Sequence, residues 1–547
     1  MTKKTFMRGA VILAAAGVII KAMGAVFRIP LANMIGEQGM AYYQAAYPIY
    51  VLFLTLSTAG VPVAISRMVS ERIALDRPEA AHRVFRVSFI LLFCIGIASF
   101  SICFFGADFI LNFFNGMKDA GYALRAIAPA LLFVPMMAAY RGYFQGMQDM
   151  RPTAASQVVE QFFRVLTGLS LAWALFPRGE SFAAAGASFG ASAGAIGGLI
   201  LVMAIYGARR KRAGASGGAG YGFAKPAESA DAEPARDILV KIFVIAVPIT
   251  IGAAIMPIMN AIDLAIVTNR LTATGWTEEA ARGLYGLLTG FANPLINLPQ
   301  VLTQAVAMSL VPAVAAAYKR EDMEFLRHNV RLGLRTAVIV GLPCAFGMMV
   351  LSEQIMLLFY PADRDAAYGA ASCLSVLAFG IIFLSTIQTL TGVLQGVGHQ
   401  MIPVRNLFIG AVVKVAVTYV LTGLPEINVR GAAIGTVAAY VIAAALNVSA
   451  VRKYTGTKFN ISLTYVKPAV SALTMSVAAW AVYSLSSAFF GNSVSTVLSV
   501  ALGVAVYAVM LFVSKSITRE ELVFLPKGEK LAAFLEKAGG KRKAKKL

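Results

Sequence analysis

Long apolar runs separated by short polar segments follow one another along almost the whole chain. A helix needs about 20 predominantly apolar residues to cross a bilayer, and a window of that length finds about fourteen such runs. They cover residues 9–33, 43–66, 87–111, 122–145, 153–176, 182–206, 238–265, 284–315, 332–352, 368–394, 403–423, 429–450, 467–489 and 493–514. The pattern predicts an all-α polytopic membrane protein with about 14 transmembrane helices.

Composition and charge agree with this prediction. Of the 547 residues, 58% are hydrophobic and 14% are charged, whereas soluble proteins carry roughly 25% charged residues. If the N-terminus lies on the inner side, the inner segments hold about 36 Lys and Arg and the outer segments about seven. This bias predicts that both termini face the cytoplasm. It also accounts for the net charge of +21 without a nucleic-acid partner.

Catalysis and resident cofactors are not indicated by the sequence. The four cysteines lie in apolar runs without CxxC spacing, and the three histidines lack the spacing of metal ligands. The chain has no Walker motif. The sequence therefore predicts a protein that is not an enzyme, binds no metal cofactor and does not hydrolyse ATP.

A repeated motif divides the chain into two similar halves. Gly142-Tyr-Phe-Gln-Gly146 returns as Gly392-Val-Leu-Gln-Gly396, and each copy precedes a helix that starts near a proline. Six spans separate the copies, so the repeats share one orientation, as in transporters whose lobes move about a central cavity. The predicted domains are an N-terminal lobe (1–208, spans 1–6), a flexible cytoplasmic linker (209–236), a C-terminal lobe (237–455, spans 7–12), a pair of helices (456–515) and a basic cytoplasmic tail (516–547).

Charged side chains inside the predicted spans are the candidates for a functional site. A charge at the bilayer centre is costly and usually marks a substrate or ion pathway. Arginine suits phosphate through its planar fork, and lysine acts as a point charge. Because cations exceed acids within the spans, we predict an anionic substrate. The residues predicted to bind it are Lys21, Arg28, Gln157, Glu160, Arg164 and Lys414.

Structural alternatives exist for several of these residues. Lys21 and Arg28 could extend to opposite membrane interfaces. Glu160 and Arg164 are four residues apart and could form a neutral pair within one lobe. Asp263 shares a helical face with Asn260 and Arg270. It either pairs with Arg270, which is the interpretation we favour, or binds a coupling cation together with Asn260.

Three motifs carry a resemblance to a known family: Tyr140-Arg-Gly-Tyr-Phe-Gln-Gly146, Lys21-Ala-Met-Gly-Ala-Val-Phe-Arg28 and Ala59-Gly-Val-Pro-Val-Ala-Ile-Ser66. Together with fourteen spans and a middle linker, they resemble the multidrug/oligosaccharidyl-lipid/polysaccharide exporter superfamily. Within it, the chain is similar to the stage V sporulation protein B and polysaccharide-biosynthesis branch, which is related to the MurJ lipid II flippases.

The resemblance implies a flippase in the bacterial cell membrane. Its cargo would be an undecaprenyl-pyrophosphate-linked cell-wall precursor, foremost lipid II, moved from the inner to the outer leaflet by alternating access. The resemblance also implies contacts with membrane lipids and cell-wall synthesis enzymes. Coupling would be to Na⁺, to protons or to the membrane potential, with Asp263 in the position of an acid that binds sodium. The chain departs from the family because its second and eighth spans lack arginine and its eleventh span lacks a carboxylate.

Other functions are compatible with the same pattern. The cargo could be another lipid-linked polysaccharide, or the chain could be a multidrug antiporter of the same fold. An antiporter for cationic drugs needs an acidic cavity, which the excess of cations argues against. A membrane scaffold for cell-wall enzymes that transports nothing would gain nothing from costly Lys and Arg inside its spans.

Overall fold

The computed structural model describes residues 3–114, 119–215, 233–514 and 516, and every regular element among them is helical. In chain order the α-helices are α1 Lys3–Thr58, α2 Val61–Ala74, α3 Pro78–Phe105, α4 Ala107–Phe114, α5 Ala120–Ile127, α6 Ala130–Gly146, α7 Arg151–Leu175, α8 Glu180–Ala215, α9 Ala235–Ala273, α10 Glu278–Gly286, α11 Asn293–Lys319, α12 Met323–Val350, α13 Ser352–Phe359, α14 Arg364–Gly396, α15 Met401–Thr422, α16 Arg430–Thr455, α17 Lys467–Ser486 and α18 Asn492–Val513. The predicted all-α class is confirmed. Most of the predicted linker and nearly all of the predicted tail lie outside the described residues.

Twelve helical stretches of the described chain are long and apolar enough to cross a membrane, so the protein is a multi-pass membrane protein. One stretch, Ile19–Ala74, covers the second predicted span and more than half of the first, because α1 continues through a kink at Gly36 (φ 64°, ψ −170°). Only glycine adopts this conformation readily. The predicted span 284–315 is helical but is not among the twelve. The number fourteen therefore stays a prediction.

The chain packs as two compact units. Unit 1 comprises Met1–Leu298, Phe359–Cys373 and Ala411–Gly435. Unit 2 comprises Pro299–Leu358, Leu374–Gly410 and Thr436–Leu547. These units follow packing, whereas the domain boundaries inferred from the sequence follow the repeat, and those boundaries stay a prediction.

Within unit 1, glycines allow α8 to lie directly against the backbone of α7. A methyl group added at Gly190 of α8 would lie only 2.7 Å from the Cα atom of Gly168 on α7. Gly186 and Gly194 make similarly close approaches one turn away on either side. Small residues at helical spacing are a common device for close helix packing in membranes. One side of α7 is thus sealed by α8, and the helix also packs against α1.

The repeated glycine motif has the same packing role in each unit. The helices α6 and α14 end at Gly146 and Gly396, as the sequence predicts. A methyl group at Gly142 would lie 2.9 Å from the carbonyl oxygen of Pro62 on α2. One at Gly392 would lie 2.8 Å from the carbonyl oxygen of Ala307 on α11. The glycines therefore allow close contact with another helix of the same unit in addition to ending their own helices.

The last two helices form a hairpin within unit 2. They contact each other extensively and pack on α12, where the Tyr507 hydroxyl donates to the carbonyl oxygen of Ile339 at 2.8 Å. Asn492 donates from its side-chain amide to the carbonyl oxygen of Gln354 at 3.3 Å. Trp480 and Phe489 are exposed on the hairpin, as expected for side chains that face lipid.

Candidate functional site

Three tyrosines follow the kink of α1 at a spacing that places them on one helical face. Tyr43, Tyr47 and Tyr50 are separated by four and three residues. The rings of Tyr43 and Tyr47 are stacked with centroids 5.7 Å apart, and those of Tyr47 and Tyr50 are 6.0 Å apart. Tyr43 and Tyr50 are buried, whereas Tyr47 is half-buried. The middle ring therefore remains accessible to other side chains.

Two arginines converge on the middle ring from different helices. The Cζ atom of Arg28, on α1 before the kink, lies 5.5 Å from the centroid of Tyr47, and that of Arg164, on α7, lies 5.9 Å from it. Both distances are within cation–π range. Among the described residues, no ion pair joins either arginine to a carboxylate. The site thus holds two half-buried positive charges, and within the described part of the chain neither is in direct contact with a carboxylate.

The alternative in which Glu160 and Arg164 form a neutral pair is contradicted by the structure. Glu160 instead accepts a hydrogen bond from Arg141 of α6 at 2.9 Å, and Arg141 also donates to the Ser156 hydroxyl at 2.9 Å. The two residues of the predicted pair reach towards different helices, because Arg164 extends to Tyr47 of α1 while Glu160 contacts α6. Among the described residues, Arg164 consequently has no carboxylate in direct contact.

Two further candidates lie on the same two helices. Lys21 is exposed on α1, two turns before Arg28. Gln157 is half-buried on α7, also two turns before Arg164. Each helix therefore carries a second polar side chain two turns nearer its N-terminus.

Lys414 belongs to a separate charged pair in unit 1. Its ammonium on α15 donates to the Oδ2 atom of Asp263 on α9. The two side chains are only 12% and 16% exposed, so water screens their interaction poorly. The other carboxylate oxygen of Asp263, Oδ1, is buried and has no hydrogen-bond partner among the described residues.

The favoured pairing of Asp263 with Arg270 is also wrong. The two residues are two turns apart on α9, a rise of about 10 Å, and both reach towards α15 instead. Arg270 donates from Nε to the carbonyl oxygen of Tyr419 at 3.1 Å, and its guanidinium lies 4.3 Å from the centroid of the Tyr419 ring. Asn260 is exposed one turn before Asp263. Within the described chain, no group of three or more His, Cys, Asp or Glu side chains could hold a metal ion.

The sequence analysis missed two residues that shape the site. Tyr47 could have been found from the spacing of the tyrosines, which repeats every three or four residues. Arg141 lies near the end of the predicted span 122–145 and was not among the candidates, but in the structure it lies in α6 with its side chain only 13% exposed. A chain position at the end of an apolar run gave no signal that the side chain turns inward.

Comparison with known proteins adds a family and a fold. The model of a family described as polysaccharide biosynthesis protein matches residues 6–317, and a second model, MatE, matches residues 288–420. Stage V sporulation protein B of Bacillus subtilis is 27% identical over 96% of this chain and 98% of its own length. Lipid II flippase MurJ of the same organism is 26% identical over 92% and 94%. A solved structure of lipid II flippase MurJ, inward closed conformation, superposes with a TM-score of 0.68 at 15% identity over 91% of this chain and 98% of that one.

Proposed function

Because the chain belongs to the polysaccharide biosynthesis protein family, we propose that it is a flippase that moves a lipid-linked sugar diphosphate from the inner to the outer leaflet of a bacterial cell membrane. The observation that supports this proposal is the convergence of Arg28 and Arg164 on Tyr47. Two guanidinium groups without a carboxylate fit a ligand that brings its own negative charges.

The physical argument rests on the cost of an uncompensated charge inside a membrane protein. Such charges usually face a cavity and serve a ligand or an ion. A tyrosine ring offsets this cost by about 0.5–2 kcal/mol per cation, which is less than a phosphate can offer through paired charge-assisted hydrogen bonds. A diphosphate would therefore replace Tyr47 as the main partner of both arginines. Lys21 and Gln157, two turns away, would contact the rest of the headgroup.

The remaining predicted residues take different roles in this proposal. Glu160 neutralises Arg141 and positions α7 against α6, so it would support the site without touching the diphosphate.

Lipid II is the cargo that we propose first, because a relative of similar length is named a lipid II flippase. Another lipid-linked polysaccharide is the alternative, because the second and eighth spans lack arginine.

We further propose that transport is driven by protons or the membrane potential and does not require Na⁺. The ammonium of Lys414 already occupies the carboxylate of Asp263. A flipping rate that is unchanged when Na⁺ is replaced by choline would support this proposal. A rate that falls to background without Na⁺ would contradict it and return Asp263 and Asn260 to the role of a cation site.

Topology and movement complete the proposal. The positive-inside bias supports cytoplasmic termini. We propose that residues 1–208 and 237–455 are the two lobes whose movement gives alternating access. An interaction with cell-wall synthesis enzymes remains a prediction.

The decisive experiment is flipping in proteoliposomes that contain the full chain. A fluorescent lipid-linked sugar diphosphate is incorporated, and its accessibility to an external quencher is followed. We expect the wild type and the control Arg320→Ala, which changes an exposed cation at the end of α11, to flip the diphosphate lipid. Arg28→Ala and Arg164→Ala should flip it roughly 100-fold more slowly at subsaturating lipid. Flipping at an unchanged rate in both variants, or transport of cationic drugs in place of the lipid, would overturn the proposal.

The same variants can be tested in a bacterium whose own lipid II flippase is depleted. Restored access of external reagent to lipid II by the wild type, but not by Arg28→Ala, would identify lipid II as the cargo. Flipping in proteoliposomes without rescue of the bacterium would instead favour another lipid-linked polysaccharide.

A further inference from the structure

A cavity of about 1640 Å³ lies at one end of unit 1, away from the arginines on Tyr47. It is enclosed by the second half of α2, the start of α3 and the first turns of α9. Its walls differ in character. The α9 side is apolar and includes Val240 and Val244, which are 54% and 69% exposed. The side formed by α2, α3 and the turn between them is strongly basic.

The lining of the cavity as a whole carries more positive charge than its carboxylates neutralise. Six cations line the cavity, namely Arg67, Arg72, Arg77, Arg83, Arg86 and Lys241. Four carboxylates accompany them, namely Glu71, Asp76, Glu79 and Glu233. Glu71 is engaged with Arg67, and Glu233 with both Arg72 and Lys241.

Three arginines remain after these pairs are formed. Within the part of the chain that the structure describes, no ion pair joins Arg77, Arg83 or Arg86 to a carboxylate. All three are exposed. Asp76 and Glu79 in the same lining form no ion pair among the described residues either, so three arginines stand against two carboxylates. The cavity therefore offers unpaired guanidinium groups with a net positive charge beside an exposed apolar wall.

This combination selects an amphipathic anion. A small soluble anion would use only the rim, whereas a phospholipid can place its phosphate on the arginines and its acyl chains along α9. Basic pockets between transmembrane helices on the cytoplasmic side are known to hold anionic headgroups. The positive-inside bias predicts that this end of unit 1 is the cytoplasmic one.

We propose that the cavity between α2, α3 and α9 binds an anionic membrane phospholipid, with its phosphate on Arg83 and Arg86 and an acyl chain against Val240 and Val244. The site is separate from the proposed transport site and does not depend on what the protein transports. Glu233 keeps the cavity in shape, because it holds α2 through Arg72 and α9 through Lys241.

The test is lipid binding to the purified full chain, measured by native mass spectrometry and by the shift in melting temperature. We compare phosphatidylglycerol with phosphatidylcholine, for the wild type and the double variant Arg83→Gln/Arg86→Gln. Each cation near an anionic headgroup contributes about 1 kcal/mol, so losing two should weaken phosphatidylglycerol binding roughly 30-fold. Phosphatidylcholine should bind weakly to both proteins.

The control is the double variant Arg320→Gln/Arg331→Gln, which removes two exposed cations predicted on the same membrane side but outside the cavity. It should bind phosphatidylglycerol like the wild type. Equal losses in both double variants would show diffuse attraction and overturn the proposal. Competition by soluble glycerophosphate at the same concentration as the lipid would also overturn it, because the site would then bind a free anion. An unchanged melting temperature of the lipid-free variant shows that it folds.

Discussion

Two pairs of charged side chains within the predicted spans of unit 1 contrast with each other, because one pair is neutral and the other is not. Lys414 and Asp263 bring opposite charges from α15 and α9 into direct contact. Arg28 and Arg164 bring like charges from α1 and α7 to a shared aromatic ring. The first arrangement brings its opposite charges together inside the protein, and in the proposed function an anion completes the second.

The comparison separates the stability of the protein from its function. Removing one member of a buried neutral pair leaves a stranded charge, whereas removing one of two like charges relieves repulsion. We therefore expect substitutions in the two pairs to affect different measurements. Measurements of stability and of flipping on variants of each pair can therefore test this contrast.

Lys414→Ala should have the largest effect on stability. It leaves the Asp263 carboxylate buried without a cation, which costs about 3–5 kcal/mol for a broken buried ion pair. The double variant Asp263→Ala/Lys414→Ala should recover most of this loss, because no stranded charge remains. Denaturation of the wild type, Lys414→Ala and the double variant in one detergent measures both effects. A double variant as unstable as Lys414→Ala would show that packing, and not charge, dominates at this contact.

Arg28→Ala and Arg164→Ala should act on flipping and spare stability. Each removes charge-assisted hydrogen bonds to the diphosphate worth about 3 kcal/mol in total, so the rate should fall roughly 100-fold at subsaturating lipid. The melting temperature should stay constant or rise. Arg164→Lys is the matched variant, because it keeps the charge but loses the planar fork. Its flipping rate should lie between that of the wild type and that of Arg164→Ala. A wild-type rate for Arg164→Lys would show that charge alone suffices.

Two substitutions at Tyr47 separate the contribution of the aromatic ring from that of the hydroxyl group. Tyr47→Phe keeps the aromatic face, so the free energy of unfolding should change little. Tyr47→Ala removes the partner of both guanidinium groups and should destabilise the lipid-free protein by about 1–2 kcal/mol. Saturating diphosphate lipid should narrow the difference between these two variants, because the ligand then replaces the ring. A difference that the ligand does not change would show that Tyr47 serves packing only.

Much of the fold was predictable because a span needs only a long apolar run, and the runs are long here. The all-α class, the membrane location and the helix ends at the repeated glycines follow directly from the pattern. The helix kink at Gly36 could not be predicted from the apolar pattern. Two apolar runs predict two spans, but the pattern gives no sign that one helix continues through a kink between them.

The site was harder to predict than the spans, because a sequence shows which charges are inside the membrane but not which way they point. Arg28 and Arg164 were identified as candidates and do converge. Their partners were not identified, because spacing along one helix favours pairs such as Glu160 with Arg164. In the structure, neighbouring helices offer closer partners, namely Arg141 for Glu160 and Lys414 for Asp263. Tertiary packing therefore decides pairing wherever a charged side chain can reach more than one helix.

Glu233 provides a third arrangement, at the edge of the membrane, and the smallest expected effect. Burial alone would raise the pKa of its carboxyl group, but hydrogen bonds from Lys241 and Arg72 outweigh burial and leave the pKa below its ordinary value. A carboxylate with a lowered pKa stabilises the fold fully above the pKa of the unfolded chain, near 4.3, and loses this contribution as the pH falls through the lower folded value.

We therefore expect the stability difference between the wild type and Glu233→Gln to be largest near pH 7 and to shrink as the pH falls below about 4. The difference should stay below about 1 kcal/mol, because the pair with Lys241 is open to water. Glu324→Gln, which changes an exposed carboxylate in the first turn of α12, is the matched control and should show a smaller pH dependence. A Glu233→Gln difference that is constant from pH 7 to pH 3.5 would mean that the bridge between α2 and α9 does not depend on the charge of Glu233. Glu233 would then differ from the charged pairs inside the predicted spans, for which we expect the sign of the removed charge to decide whether stability falls.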